Sequence, residues 1–266
     1  MTADRSPLDI DSAVAQLAVV SPRYQWSLTL VKDAHEAGGC FGRVGKSERI
    51  TGGVPDPERS AAEAARRARK KVRRYCVANR LNRFGTLTYD GAGCHDPAQV
   101  KADVAGFWRE LRRLTGGKSF PYLWTTEWHK TDHGLHVHFA VGRFIKRSLI
   151  GEAWGWGTIE GRGFPHIKLI GDLPVGAGVV GEARRAASYL SKYVGKDFDA
   201  QRFPAGWHRY EVAEGFQPAE TRLFGRTESE VLSKASAIMG RRPDVYWSSR
   251  QEPDWDRPAA VWVQWS

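Results

Sequence analysis

The sequence predicts an α+β fold, with a central antiparallel sheet flanked by helices and an extension at either end. Between positions 84 and 196, strand-like and helix-like segments follow one another in the order β-α-β-β-α-β-α. Only a short turn joins two of these strands, which makes them an antiparallel hairpin. The chain has 266 residues, 41% of them hydrophobic and 26% charged, so it can build one large domain or two small ones.

The first part of the chain contains one recognisable strand and one basic helix. Residues 24–31 predict a strand, and the glycine-rich residues 38–53 predict a loop. In that loop, Gly45-Lys46-Ser47 resembles the end of a phosphate-binding loop. Position 40 is Cys40 instead of the glycine that such a loop requires, so we do not expect nucleotide binding there. Apolar residues recur at helical spacing from residue 58 to residue 81.

Local signals mark the elements that follow. Residues 84–89 alternate as a strand does, Asp96-Pro97 is a helix start, and Gly116-Gly117 is a helix stop. The remaining elements are strands over 121–128, 135–142, 164–170 and 260–265, and helices over 146–154 and 181–196. We therefore divide the chain into an N-terminal extension (1–57), a basic helix (58–83), a core (84–200) and a C-terminal extension (201–266).

The net charge of +10 favours a polyanionic partner, and nucleic acid is the commonest one. Ten basic and only two acidic residues lie between Glu58 and Arg83. We expect this helix to bind DNA, although a solvated charged face is the alternative. The cations expected to contact DNA are Arg66, Arg67, Lys70, Lys71, Arg73 and Arg74.

Several classes of protein are disfavoured by composition. The three cysteines show no CxxC spacing, which argues against a disulfide framework and against a cysteine zinc site. No apolar run approaches the roughly 20 residues of a membrane span. The N-terminal residues lack the basic-then-apolar order of a signal peptide. We therefore expect a cytoplasmic protein without a membrane partner.

His136 and His138 form the strongest chemical signal, because alternate residues of a strand share one face. A hairpin turn at 131–134 would pair Trp128 with Val137 on the core face, and Glu127 with His138 on the other face. Two imidazoles and a carboxylate suit a divalent ion such as Mg²⁺ or Mn²⁺.

Two further histidines lie close to this hairpin. We expect His133 to lie in the turn, outside the ligand set, and His129 to face the metal side only if a bulge intervenes.

Tyr189 and Tyr193 are four residues apart on a predicted helix, so their phenols lie on one face. Lys192 and Lys196 fall on nearly the same arc. Tyrosines at this spacing usually pack a core, but two lysines on the same face argue against burial. Phenols and ammonium groups beside a metal site suit attack on a phosphodiester.

The segments FGTLTY, HGLHVH and YLSKYVGK, in this order, resemble the HUH endonucleases, and specifically their two-tyrosine rolling-circle replication initiators. The resemblance covers residues 84–196. It implies that His136, His138 and Glu127 are metal ligands. It also implies that Tyr189 and Tyr193 are nucleophiles, with Lys192 and Lys196 as helpers at the phosphate.

The function implied by this resemblance is origin nicking. A metal-dependent enzyme of this kind cuts single-stranded or melted origin DNA through a 5′-phosphotyrosine and starts rolling-circle replication of a plasmid or phage. A host helicase and polymerase would complete the process. The alternatives are a two-tyrosine transposase, which usually carries a cysteine-rich domain, and a non-catalytic nucleic-acid-binding protein.

Overall fold

The structure is a computed structural model that describes residues 24–43, 56–157, 162–163, 165–169, 178–195, 203, 207–208 and 210–266. Two compact units make up the chain. One comprises Met1–Val54 together with Ala219–Ser266, and the other comprises Pro55–Pro218. The predicted α+β class with antiparallel sheets is confirmed. The two segments treated as separate extensions contribute strands to one sheet, and the basic helix belongs to the same unit as the core.

The described residues form ten strands, five α-helices and two short 3-10 turns. The strands are β1 (Tyr24–Val31), β2 (Glu36–Arg43), β3 (Arg83–Leu87), β4 (Tyr122–Trp128), β5 (Leu135–Val141), β6 (His166–Leu169), β7 (Glu211–Val212), β8 (Thr221–Gly225), β9 (Val245–Ser248) and β10 (Ala260–Gln264). The helices are α1 (Pro57–Ala78), α2 (Pro97–Leu114), α3 (Arg147–Trp154), α4 (Gly178–Gly195) and α5 (Glu228–Met239), and the 3-10 turns are Lys32–Ala34 and Ser249–Gln251. None of these helices combines the length and the apolar composition that crossing a bilayer requires.

The discontinuous unit is built on a sheet in the order β8-β1-β2-β10-β9. Buried residues of β1, among them Trp26 and Leu28, pack in one cluster with Val231 and Ala235 of α5. The predicted strands over 24–31 and 260–265 are confirmed as β1 and β10.

The glycine-rich loop predicted from residue 38 is wrong over residues 38–43, which belong to β2. A Cβ atom added to Gly39 would lie 1.8 Å from the carbonyl oxygen of Ser27, so only glycine allows this close approach of the strands. The absence of a side chain, which favours a loop in the sequence, here permits tight strand packing. Gly45-Lys46-Ser47 lies outside the described residues.

The continuous unit has a sheet in the order β6-β3-β5-β4-β7, so the histidine strand β5 is central. One face of the sheet carries Val137 and Phe139, which pack against Phe107 of α2 and Trp154 of α3. Asp96 caps α2 as predicted, since its carboxylate accepts a hydrogen bond from the Ala98 amide at 2.9 Å.

The opposite face of this sheet is covered by α1 and α4. Phe84 of β3 and Ala140 of β5 share a buried cluster with Val72 of α1 and with Leu190 and Val194 of α4. This layer brings the tyrosine-bearing helix onto the face that carries the histidines.

Candidate active site

The β4–β5 hairpin positions a carboxylate beside the two histidines. Glu127 pairs with His136, and Trp128 pairs with Leu135. The predicted register, with Trp128 opposite Val137, is therefore wrong by two residues. A shift of two residues keeps every side chain on its face, so Glu127 remains on the histidine face.

The register differs because Gly134 belongs to the strand pairing and not to the turn. The His129 amide donates to the Gly134 carbonyl at 2.8 Å, and the Leu135 amide donates to the Cys94 carbonyl at 2.8 Å. Gly134 has a φ of +76°, and an added Cβ would lie 2.3 Å from the Cys94 carbonyl oxygen. Pairing with the segment before α2 thus draws the turn towards residues 130–133.

His138 is held by hydrogen bonds at both ring nitrogens. Its Nε2 lies 3.1 Å from Oε2 of Glu127, and its Nδ1 lies 3.1 Å from the hydroxyl oxygen of Thr86. A carboxylate can only accept, so Nε2 donates to Glu127 and, in the neutral ring, Nδ1 accepts from Thr86. The predicted proximity of Glu127 to an imidazole is present, and the contact from Thr86 fixes the ring plane.

His136 has a buried nitrogen available for a ligand. Among the described residues, its Nε2 has no hydrogen-bond partner. Burial, followed by the nearby imidazoles of His129, His138 and His133, lowers the pKa of His136 from 6.5 to about 4. The ring is therefore neutral at pH 7, and its unshared electron pair remains free to bind a cation.

The sequence analysis missed His129 as a member of this cluster. Its ring stacks on His136 with 4.4 Å between the centroids. His129 follows Glu127 by two residues, so strand alternation alone predicts that they share a face, and no bulge is needed. His133 lies in the connection, as expected, where its Nε2 donates to the carbonyl of Tyr89 at 2.9 Å.

Both candidate nucleophiles of α4 lie over this cluster. The Tyr193 ring stacks on His138 with 4.1 Å between the centroids, and Tyr189 lies 5.3 Å from Tyr193. Phe84 supports the pair from β3, with its ring 4.8 Å from Tyr189. Tyr189 is 40% exposed, so an approaching strand can reach it without unfolding of the helix.

The surroundings of Tyr193 favour its protonated form. Burial raises the pKa of the phenol, and the hydrogen bond with Tyr189 and the charge of Glu127 raise it further. A cation beside the phenol would act in the opposite direction. Lys192 supplies one nearby charge, since its Nζ lies 5.6 Å from the centre of the Tyr189 ring. Lys196 lies outside the described residues.

The segment that carries this arrangement is similar to a known family. Residues 82–198 match the model of a family described as replication-associated protein ORF2. The match spans β3 to α4 and includes Glu127, both histidines of β5 and both tyrosines. It supports a role as a replication initiator that binds DNA. No curated protein and no solved structure matches the chain.

The donor set fits a divalent ion in its chemistry. An open cavity of about 380 Å³ is lined by Glu127, His129, His136 and His138. The orphaned Nε2 of His136 and the Glu127 carboxylate are donors of the types that Mg²⁺ and Mn²⁺ sites use with imidazole. Across the described residues, no three such side chains already converge as in a closed metal cage. An ion would therefore bind at an open site, in which the Glu127–His138 hydrogen bond opens to free both groups as ligands.

The basic helix α1 presents most of its predicted DNA-binding cations to solvent. Arg66, Arg67, Lys70 and Lys71 are exposed, and Arg73 is half-buried. Arg74 is a correction, because it is only 5% exposed and cannot reach a phosphate. The last turns of α1 are buried on all sides, so helical position alone did not reveal which residues face solvent.

Proposed function

We propose that this chain is a metal-dependent single-strand DNA endonuclease and strand transferase that nicks a replication origin. The observation that carries the proposal is the stacking of Tyr193 on His138, with Glu127 hydrogen-bonded to the same imidazole. A nucleophile of the right type lies over a set of metal-type donors, in a segment similar to replication-associated proteins.

The residues suggest a division of labour for the cleavage. A tyrosine oxygen attacks the phosphorus atom, forms a P–O bond to the 5′ phosphate and releases the 3′ oxygen, which takes up a proton. The phenolic proton leaves to solvent through the open cavity. Lys192, beside Tyr189, offsets phosphate charge. A divalent ion held by His136, His138 and Glu127 would polarise the scissile phosphate.

The second tyrosine gives the reaction its transferase half. The phosphotyrosine conserves the energy of the broken bond, so a free 3′ hydroxyl can reverse the step. Tyr189 and Tyr193 share one helical face, and either can serve as the nucleophile after a modest shift of helix or DNA. Release of a unit-length circle would follow from the second cleavage, while a host helicase and polymerase carry out unwinding and synthesis.

The test is a denaturing gel with a labelled single-stranded origin oligonucleotide and Mn²⁺. We expect a covalent protein–DNA adduct that excess chelator abolishes. The double variant Tyr189→Phe/Tyr193→Phe should form none, because Phe keeps the ring packing and removes only the nucleophilic oxygen. An adduct that persists in the double variant would place the nucleophile elsewhere.

His136→Ala and His138→Ala separate cleavage from binding. Each should lose cleavage while single-stranded DNA binding changes little. Full cleavage by both variants would contradict the metal assignment.

A further inference from the structure

The loop between β5 and α3 holds an aromatic side chain out into solvent. Phe144 is 70% exposed, more than any other large apolar side chain in the described part of the chain. Its neighbour Ile145 is buried in the core that α2 and α3 build. The buried isoleucine fixes the loop, so Phe144 is held outward and presents a ring face at little further cost in conformational entropy.

Cations surround this ring. The guanidinium carbon of Arg83 lies 5.4 Å from the Phe144 ring centre, and Arg83 is the β3 partner of Val141 at the end of β5. Arg143, Lys146 and Arg147 are exposed in the same loop. We call Phe144 and these four cations the basic aromatic surface. The acid beside it, Glu182, accepts a hydrogen bond from Asn82 at 2.7 Å and leaves the surface strongly positive.

We propose that the basic aromatic surface binds single-stranded DNA next to the cleavage site. An unpaired base stacks on Phe144, and the four cations contact the flanking phosphates. Stacking on exposed aromatic rings combined with a positive groove is how sequence-tolerant single-strand binding is built. A duplex keeps its bases stacked on one another and offers no free base face to Phe144. The inference rests on the proposed function only for the identity of the strand.

The position of the surface agrees with this partner. Val141 ends β5 three residues after His138, which is about 10 Å along a strand. Arg83 directly precedes Phe84, whose ring contacts Tyr189. A strand held at the tyrosines therefore needs to extend by only a few nucleotides to reach Phe144.

The experiment measures binding without cleavage. The full chain, carrying Tyr189→Phe and Tyr193→Phe, is titrated into a fluorescein-labelled deoxythymidine oligomer of about twenty nucleotides. We expect Phe144→Ala to raise the Kd about fivefold to hundredfold, the range that the loss of one stacked base corresponds to. Phe144→Trp should restore the affinity. Trp156→Ala is the matched control, since Trp156 is an aromatic residue that is 52% exposed elsewhere in the same unit.

Two results would overturn the proposal. One is a Kd of Phe144→Ala within twofold of the parent. The other is an equal loss of affinity for a duplex of the same length, which would remove the assignment to single strands. In a second arm, Arg143→Glu/Lys146→Glu should make the salt dependence of binding less steep, by about 0.7 in the log–log slope for each lost phosphate contact.

This test is separable from the test of the nicking reaction. If the origin oligonucleotide gives no adduct but Phe144→Ala weakens binding, the surface stands and the proposed function fails. If the adduct forms and Phe144→Ala binds as the parent does, the surface fails and the proposed function stands.

Discussion

His138 is the residue on which the site depends most. Glu127 holds one ring nitrogen, Thr86 holds the other, and Tyr193 covers the ring face. Three elements thus fix one imidazole on the central strand of the sheet. A ligand oriented in this way does not have to be ordered when a cation arrives, which preserves affinity.

Thr86 is a positioning residue, and its removal tests this arrangement. Thr86→Val keeps the shape but loses the hydroxyl at Nδ1 of His138. Because partners of ligating histidines are typically worth about 10- to 100-fold in metal affinity, we expect Mn²⁺ to bind more weakly by that range. Calorimetric titration measures it, and Thr86→Ser is the control that keeps the hydroxyl. Unchanged Mn²⁺ affinity in Thr86→Val would show that the contact is only structural.

Gly85 lies beside Thr86 and has a steric role. A Cβ at this position would lie 2.1 Å from Cζ of Phe139, a ring that is fully buried against Phe107. We expect Gly85→Ala to lower the free energy of unfolding by about 1–3 kcal/mol, the usual cost of overpacking a core. Urea unfolding measures the change.

The control for Gly85 is a glycine with free space. An added Cβ at Gly106 of α2 meets nothing within 4 Å, so Gly106→Ala should stabilise the protein by about 0.5–1 kcal/mol. Equal stabilities of the two variants would mean that Phe139 moves aside without cost.

At the scale of elements, α1 serves two purposes. Val72 and Cys76 pack it against the sheet, while its outer side carries exposed arginines and lysines. Arg67 also makes an i, i+4 contact with Glu63 at 3.7 Å, and exposed pairs of this kind contribute little to stability. The charge of α1 is therefore available for a polyanion without loss of packing.

Reversal of the charge on α1 tests whether it contacts DNA. Arg66, Arg67, Lys70 and Lys71 are replaced together by Glu. If they contact phosphates, affinity should fall for every sequence, and the log–log salt slope should fall by about one unit for each lost contact. Fluorescence anisotropy over a range of salt concentrations measures both. An unchanged slope would restore the interpretation as a solvated charged face.

The sequence was sufficient where a periodicity alone decides the outcome. Alternation placed His136 and His138 on one face, and i, i+4 spacing placed Tyr189 beside Tyr193. It was insufficient where a distant partner decides. Cys94 sets the hairpin register by pairing with Gly134, and no local pattern reveals that contact.

Non-local packing also explains the two other differences. Close approach to Ser27 makes Gly39 part of a strand although glycine disfavours strands. The all-round burial of the end of α1 encloses Arg74, although helical periodicity gave no reason to separate it from the other arginines.

At the scale of the molecule, the chain leaves one unit, completes another and returns to the first. The continuous unit contains the sheet β6-β3-β5-β4-β7 and the helices α1 to α4, with cores of its own on both faces. The discontinuous unit has a separate core built around Trp26. Each unit therefore has what independent folding requires.

The fragment of residues 55–218 should consequently fold alone. We expect cooperative urea unfolding, followed by tryptophan fluorescence, and the same Mn²⁺ affinity as the full chain, because every donor lies within the fragment. Its counterpart with Gly85→Ala should unfold at lower urea. A fragment without cooperative unfolding would show that the continuous unit depends on the rest of the chain.

The position of β10 between β2 and β9 has a consequence for biosynthesis. Ala260 pairs with Cys40, so the ribosome adds roughly 220 residues between the two partners. At about 5–20 residues per second, β2 waits about 10–45 seconds for its neighbour, while the continuous unit emerges and folds. Throughout that time one edge of β2 offers unpaired backbone groups to any other strand. Crowded polysomes therefore favour pairing between nascent chains, and slower initiation of translation should raise the yield of correctly folded protein.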